Sequence, residues 1–383
     1  MDESSVNMKE ELLDLFKWLH RHPELGFEEA ETTKQIRALL TREGVEILDS
    51  PLKTGLIARV TGAKPGRVIG LRCDIDALPI QEESGLEYAS AIPGKMHACG
   101  HDFHTAVMLG AAVLLKRQEA ELAGTVKIVF QPSEENANGA QAVVDSGLLD
   151  DVEEFYGVHS YPWFEAGTLG IKEGPVMAAP DRFEITIRGK GVHAAEPNKG
   201  RDPIPAAATI ALAAQNIVSR SIDPFSPAVV SITHLEAGNT WNVVPETAFL
   251  EGTVRTLNQG VREHIQAEIA RIAESVAAAY GCTAEFVWRS GPAAVINDDG
   301  LCKAVRELAL NMGFQVDRQE DTMGGEDFSE YLRLCPGVFI RVGTGGSYAS
   351  HHPKFTVDPN ALWPAANFFA KLAMERTIPE LRA

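Results

Sequence analysis

The chain has 383 residues, 45% of them hydrophobic and 23% charged, with a formal net charge of −18. That length exceeds what a single growing core usually serves, so two domains are expected. No basic run breaks the acidic balance, which argues against a nucleic-acid partner, and no apolar stretch is long enough to span a bilayer.

In chain order, "EELLDLFKWLH" carries apolar residues at helical spacing, and "EAETTKQIRALLTREG" reads as a second helix ended by Gly44. "GLIARVTG" and the nearly all-apolar "GRVIGLRCDIDAL" read as strands. They are followed by a helix "TAVMLGAAVLLKRQ", a strand "GTVKIVFQPSEE", a helix "NGAQAVVDSGLL" and a strand "EEFYGVHSY". Apolar strands alternating with helices predict a mostly parallel sheet with helices on both faces. Near Pro180 the pattern changes. "DRFEITIRGKG" alternates like a half-exposed strand, then come a helix over Pro203–Ser219, strands "AVVSITHLEAG" and "TAFLEGTVRT", a helix over Gln259–Tyr280 and a strand "TAEFVWRS". That order is ferredoxin-like. Residues 180–292 are therefore read as an α+β lid domain inserted into a catalytic domain made of residues 1–179 and 293–383, where "LCKAVRELALNMG", "GVFIRVG" and "ALWPAANFFAKLAMER" resume the alternation.

Five cysteines (Cys73, Cys99, Cys282, Cys302, Cys335), odd in number and far apart, make no disulfide framework and fit a reducing compartment. The opening "MDESSVNMKEELLDLF" is acidic where a signal peptide is basic and then apolar, so a cytoplasmic location is expected.

"KMHACGHDFHTA" packs His97, Cys99, His101, Asp102 and His104 around Gly100, a density of soft and borderline donors that a core does not ask for. In open α/β sheets ligands gather at the carboxyl ends of strands, and the other chemically capable residues fall there. Asp74 and Asp76 end one strand, Glu134 and Glu135 another and His159 a third, while His351 and His352 follow "FIRVGTGGSYAS". Such a donor set suits a dinuclear hydrolytic site, where two metals clamp the reacting oxygens and a free carboxylate serves as general base.

The ordered set "RCDIDALPI", "MHACGHDFHTA", "FQPSEE", "GVHS", "GVHAAEP", "WNVVPE", "GGEDFS" and "HHPKF" resembles the dinuclear metallo-amidohydrolases related to aminoacylase and carboxypeptidase G. It is most similar to the branch of hippurate hydrolase, N-acyl-amino-acid amidohydrolases and auxin-conjugate hydrolases. The resemblance implies a zinc-peptidase-like catalytic domain in which Cys99 bridges two divalent ions, His101 and His159 ligate one, and Glu135 and His351 the other. Glu134 is implied as the base that moves a proton from water to the leaving amine, with Asp74 an acidic residue near the site. In the inserted domain, His193 is implied to bind the carbonyl oxygen, typically in the partner subunit's site, and Asn242 and Arg255 to contact the amide and carboxylate of the substrate. A homodimer through that domain is implied too. The donor chemistry leaves zinc, manganese, nickel and cobalt open. The chain reads "HHP" where the branch usually has His-Ser-Pro or His-Asn-Pro; the motif register favours His351 over His352.

Plainer readings stand beside these. Cys99 also suits a buried structural thiol, Asp74 and Asp76 suit a turn before Pro79, and Arg255 suits a surface ion pair. Gly100 argues against one helix face through His97, His101 and His104, which leaves His97 and His104 as supporting or helix-start residues. His20, His22, His234 and His264 read as structural, and "VGTGGS" as a tight turn. The function expected is hydrolysis of an N-acyl amino acid, a small-molecule substrate. A dipeptidase or carboxypeptidase on the same site is the runner-up, and a metal-free binding protein the alternative of a different class.

Overall fold

The strand Lys64–Asp74 buries each of its last six residues, as expected of a strand covered on both faces. It lies inside an eight-stranded sheet, in the computed structural model that describes residues 3–318 and 320–379. The sheet order is Glu46–Ile47, Leu56–Thr61, Ala123–Gln131, Lys64–Asp74, Glu154–Tyr161, Gly337–Gly343, Thr168–Gly170 and Gln315–Asp317. Four neighbouring strands, from Ala123–Gln131 to Gly337–Gly343, run parallel and bring their carboxyl ends to one edge. Leu56–Thr61 is antiparallel to its neighbour. The mostly parallel α/β sheet expected from the alternation is the one found. It belongs to a unit made of Met1–Val176, Ile296–Glu320 and Asp327–Ala383.

Helix α1 (Glu3–Arg21), helix α2 (Ala30–Arg42) and helix α3 (His101–Arg117) belong to this unit, with a C-terminal helix over Leu362–Arg376. Helix α3 is buried along nearly its whole length, so its sequence shows little polar face. A Cβ on Gly110 would lie 2.7 Å from Leu12 Cδ1 and 2.8 Å from Ala366 Cβ. The residue is glycine because α1, α3 and the C-terminal helix cross there at close range. Phe16, Phe103 and Phe368 fill the surrounding core, each side chain stabilising by about 1.5–3 kcal/mol when fully buried.

The second unit comprises Met177–Val295 and Asp321–Glu326. Its four-stranded sheet has the order Ala228–Ala237, Thr247–Thr256, Ala179–Arg188, Thr283–Arg289, all antiparallel. Numbered along the chain this is second, third, first, fourth, a ferredoxin-like unit with helices Pro203–Asn216 and Gln259–Ala279. Alternate residues Phe183, Ile185 and Ile187 are buried against Ile210, Ile265 and Ile269. Asp202 caps the first helix by accepting the Ile204 N–H at 2.9 Å, with Pro203 at the opening position where it needs no donor.

Two expected elements are shorter than their sequence pattern. The helix over "NGAQAVVDSGLL" is confined to Gly139–Val144, because Asp145, Ser146 and Gly147 turn the chain, with Gly147 at φ 69°. The helix from Pro203 stays α-helical to Asn216 and continues as a π turn over Ile217–Ser221.

Candidate metal centre

Gly100 sits at φ 81°, a left-handed conformation that glycine adopts without strain, and a Cβ there would lie 2.5 Å from Ser160 Oγ. The sharp turn it permits starts α3 at His101. Gly100 thus keeps His97 out of the helix, as expected, and the correction concerns His101 and His104, which lie within it. His101 and His104 then occupy the first turn of α3, with ring centroids 5.3 Å apart. Cys99 lies just before the turn and is 8% exposed.

Two groups of side chains have their donor atoms within 4.8 Å of one another: Cys99 with His101 and His159, and Cys99 with Glu135 and His351. Both contain the same thiol. Cys99 Sγ is 3.5 Å from His159 Nε2, His101 Nε2 is 3.9 Å from Glu135 Oε1, and His351 Nε2 is 3.3 Å from that same oxygen. Glu134 joins His101 and Glu135 within the same span. His351 reaches this position with a positive φ of 69°, while its N–H donates to the Ala98 carbonyl at 2.7 Å. His352 turns away, its ring stacked on Tyr348 at 4.4 Å and its Nδ1 accepting the Lys354 N–H.

Neighbouring acceptors fix which nitrogen of each ring faces inward. His101 donates Nδ1–H to Asp76 Oδ1 at 3.1 Å, and His159 donates Nδ1–H to the Ser160 carbonyl at 2.7 Å. Each keeps its Nε2 lone pair for the centre, the arrangement that orients metal-binding histidines. The second oxygen of Asp76 accepts the Glu135 N–H at 3.1 Å, so one carboxylate positions a residue of each group.

Asp74 is placed differently from Asp76. It has no exposed surface, accepts the His104 Nδ1–H at 2.6 Å and pairs with Arg72 Nη1 at 2.8 Å. Its carboxylate is 3.7 Å from His101 Nδ1. His104 spends its other nitrogen accepting the Ser160 N–H at 2.6 Å, which leaves no lone pair for a metal. Arg72 also reaches Asp327 Oδ1 at 3.0 Å and Gln131 Oε1 at 2.8 Å. Burial alone would push the Asp74 pKa up, but His101, His104 and Arg72 together hold it well below the usual carboxylate range. Asp327, whose burial outweighs the Arg72 charge, is pushed up to about 6.

Sequence reasoning gave Asp76 less weight than Asp74 and assigned nothing to Arg72 or Asp327. An arginine inside an apolar strand and the Asp of "GGEDFS" were the available signals, but their pairing spans 255 residues.

The residues fit divalent cations on two observations. Among the described residues His101 Nε2 is buried without a hydrogen-bond partner, which is costly unless something else satisfies it. The cluster also draws in positive charge: hydrogen bonds to Cys99 and Glu135 push His351 up to about 10, and Asp74 and Asp76 raise His101 well above its ordinary value although burial opposes this. A thiol, a carboxylate and imidazoles together suit zinc and its first-row neighbours.

In the second unit, His193 and Val243 are paired across the short ladder of Val192–His193 with Val243–Val244, and the Ala194 N–H donates to the Asn242 carbonyl at 3.0 Å. His193 and Asn242 are therefore neighbours, the first exposed and the second half-exposed. Arg255 lies on Thr247–Thr256, half-buried, with Nε donating to Thr253 Oγ1 at 3.1 Å. Among the described residues no carboxylate forms a salt bridge with it.

A cluster of donors able to hold metal ions at the strand ends of an α/β sheet, in a chain that also carries an inserted ferredoxin-like unit, points to a metallohydrolase class. The chain belongs to peptidase family M20/M25/M40, whose family model matches residues 70–375. It is 50% identical over 364 residues to an N-acetylcysteine deacetylase of Bacillus subtilis (strain 168), spanning 95% of this chain and 96% of that one. Identity to an N-acyl-L-amino acid amidohydrolase of Geobacillus stearothermophilus is 42% over 290 residues, 75% and 78% of the two chains. A solved structure from Bacillus subtilis, a dinuclear metal-binding peptidase of the M20 family, matches with a TM-score of 0.89 at 46% identity, covering 97% of this chain and 99% of that one. The family indicated by the motif order is the family found.

Proposed function

We propose that this chain hydrolyses the amide bond of N-acyl amino acids, releasing a carboxylic acid and the free amino acid, with N-acetylcysteine the first substrate to test. It is an amide hydrolase of its family. The observation that carries the reading is the pair of donor groups sharing Cys99, with Glu134 alongside.

In this reading His101 and His159 would hold one divalent cation and Glu135 and His351 a second, with the Cys99 thiolate available to both; zinc, manganese, nickel and cobalt are the candidates. Such a pair supplies Lewis-acid polarisation of the amide carbonyl and lowers the pKa of water towards neutrality. Glu134 accepts the proton of the attacking water on its carboxylate and delivers it to the leaving nitrogen, so the carbon–nitrogen bond breaks with a neutral amine departing. Asp76 orients the His101 ring and the Glu135 backbone. Asp74, enclosed by His104 and Arg72, acts electrostatically from behind His101.

His193 and Asn242 stabilise the developing negative charge on the carbonyl oxygen, and Arg255 receives the substrate carboxylate. The half-buried guanidinium without a salt-bridge partner among the described residues supports that last role. Two chains dimerise through the inserted unit and His193 acts in trans. In support, Ala228–Ala237 is a sheet edge, and Leu235 and Trp241 nearby are exposed, an arrangement that favours pairing with another chain. A cytoplasmic setting is supported by five free cysteines; among the described residues no helix is long and apolar enough to cross a membrane.

Metal-replete protein is to be assayed in parallel on N-acetyl amino acids, N-benzoyl amino acids and dipeptides, with metal content measured on the same sample. Turnover of the acylated substrates with about two metals per chain fits. Dipeptide turnover far above the others overturns the substrate class, and absence of metal after loading overturns the mechanism.

A further inference from the structure

The loop Pro23–Glu29 carries a fully buried acid to which the chemistry above gives no role. Glu29 is 0% exposed, and its Oε1 accepts the Ser133 N–H at 2.8 Å. Ser133 is a non-glycine residue at φ 52°, a conformation that an L-residue keeps only when its surroundings impose it. Two residues later the Glu135 N–H ends on Asp76. The amides on both sides of Glu134 are thus each fixed by a buried carboxylate.

The loop also presses on this turn sterically. A Cβ on Gly26 would lie 2.5 Å from Ser133 Oγ and 2.5 Å from Asn136 Nδ2. Glu29 is itself anchored: its carbonyl accepts the Thr33 hydroxyl at 2.6 Å, and that hydroxyl accepts the Gly55 N–H at 2.8 Å. Burying a carboxylate is unfavourable without hydrogen bonds, and burial pushes the Glu29 pKa up. A residue of this kind needs a reason to be there.

We propose that Glu29 is a positioning residue for the hydrolytic reaction: by holding the Ser133 N–H it sets the left-handed turn that aims Glu134 at the attacking water. The inference rests on the function proposed above. Asp76 holds Glu135 separately, so loss of the Glu29 contact acts on the base more than on the metal cage.

The test compares two variants of the full metal-loaded chain on an N-acetyl amino acid. Glu29→Asp keeps the charge but stops one methylene short of Ser133; Glu29→Gln keeps an acceptor oxygen at the right reach. The Asp variant is expected to lose about 10- to 100-fold in kcat, the scale of a misplaced catalytic group, with KM within about twofold and two metals retained; the Gln variant is expected to restore most of kcat. If the Asp variant does not fold, Gly26→Ala displaces the same turn from the other side and is expected to show the same split between kcat and KM. Native kcat in the Asp variant, or equal losses in both Glu29 variants, overturns the inference, as does a loss explained wholly by metal content. Should the native chain turn over no N-acyl amino acid, the functional reading fails by itself. Hydrogen exchange at the Ser133 amide then decides on Glu29: faster exchange in the Asp but not the Gln variant supports the turn-setting role, and equal protection in all three chains refutes it.

Discussion

Asp76→Asn isolates the residue that ties the two donor groups together. The carboxylate accepts from His101 Nδ1 and from the Glu135 N–H, both at 3.1 Å, and asparagine can satisfy only one of these donors while turning an N–H₂ towards the other. Losing a hydrogen bond to a charged group is worth about 1.5–3 kcal/mol, and about 1.4 kcal/mol corresponds to tenfold in affinity. The expected loss of metal affinity is therefore about 10- to 100-fold, matching the usual effect of removing the partner of a ligating histidine. The assay is equilibrium competition against a chelator of known affinity, with kcat measured at saturating metal and thermal melting as the check on folding. Affinity within twofold of native in a folded Asp76→Asn chain refutes the assignment of Asp76 as the orienting group.

Four further outcomes are expected. Glu134→Gln should lower kcat by about 10²–10⁴-fold while elemental analysis still finds two metals per chain. His351→Ala should lose one metal and most activity whereas His352→Ala keeps both, since only His351 faces Glu135. Gly100→Ala should melt at lower temperature and bind metal more weakly: a Cβ at φ 81° meets Ser160 Oγ, and the left-handed conformation alone costs about 1–2 kcal/mol for an L-residue. The pH dependence of stability should carry the signature of Glu154. Burial opposes its ionisation, but hydrogen bonds from Arg376, Tyr156 and Arg67 outweigh this and lower its pKa below the ordinary 4.5. Its stabilisation is complete above about pH 4.5 and fades as pH falls through the lowered value, so denaturant titrations should show a shallower acid limb for Glu154→Gln than for the native chain.

Much of the fold was legible because periodicity is local. The buried run ending in Asp74 and the alternation of Phe183, Ile185 and Ile187 each declare their layer without reference to distant residues. Glu135, His159 and His351 were legible for a related reason, since each follows or ends a parallel strand and such strands deliver their ends to one edge, whereas Cys99 and His101 stood out by donor density alone. Other features depend on contacts that sequence order hides. Gly100 reads as a helix breaker, yet its positive φ and its close approach to Ser160 make it the turn from which α3 starts. Asp74 and Asp76 are alike in a strand-end motif; only the packing of His104 and Arg72 on one, and of His101 and Glu135 on the other, separates them. Arg72 finds Asp327 at a separation of 255 positions, and the left-handed Ser133 turn depends on an acid in the loop before α2.

The proposed hydrolysis requires two cations that share one thiolate. Anomalous diffraction from crystals of the metal-loaded chain tests this most directly. Two peaks are predicted, both within bonding distance of Cys99 Sγ, about 2.3 Å if the metal is zinc, one beside His101 and His159 and the other beside Glu135 and His351. A single peak, or two peaks with Cys99 bound to neither, contradicts it.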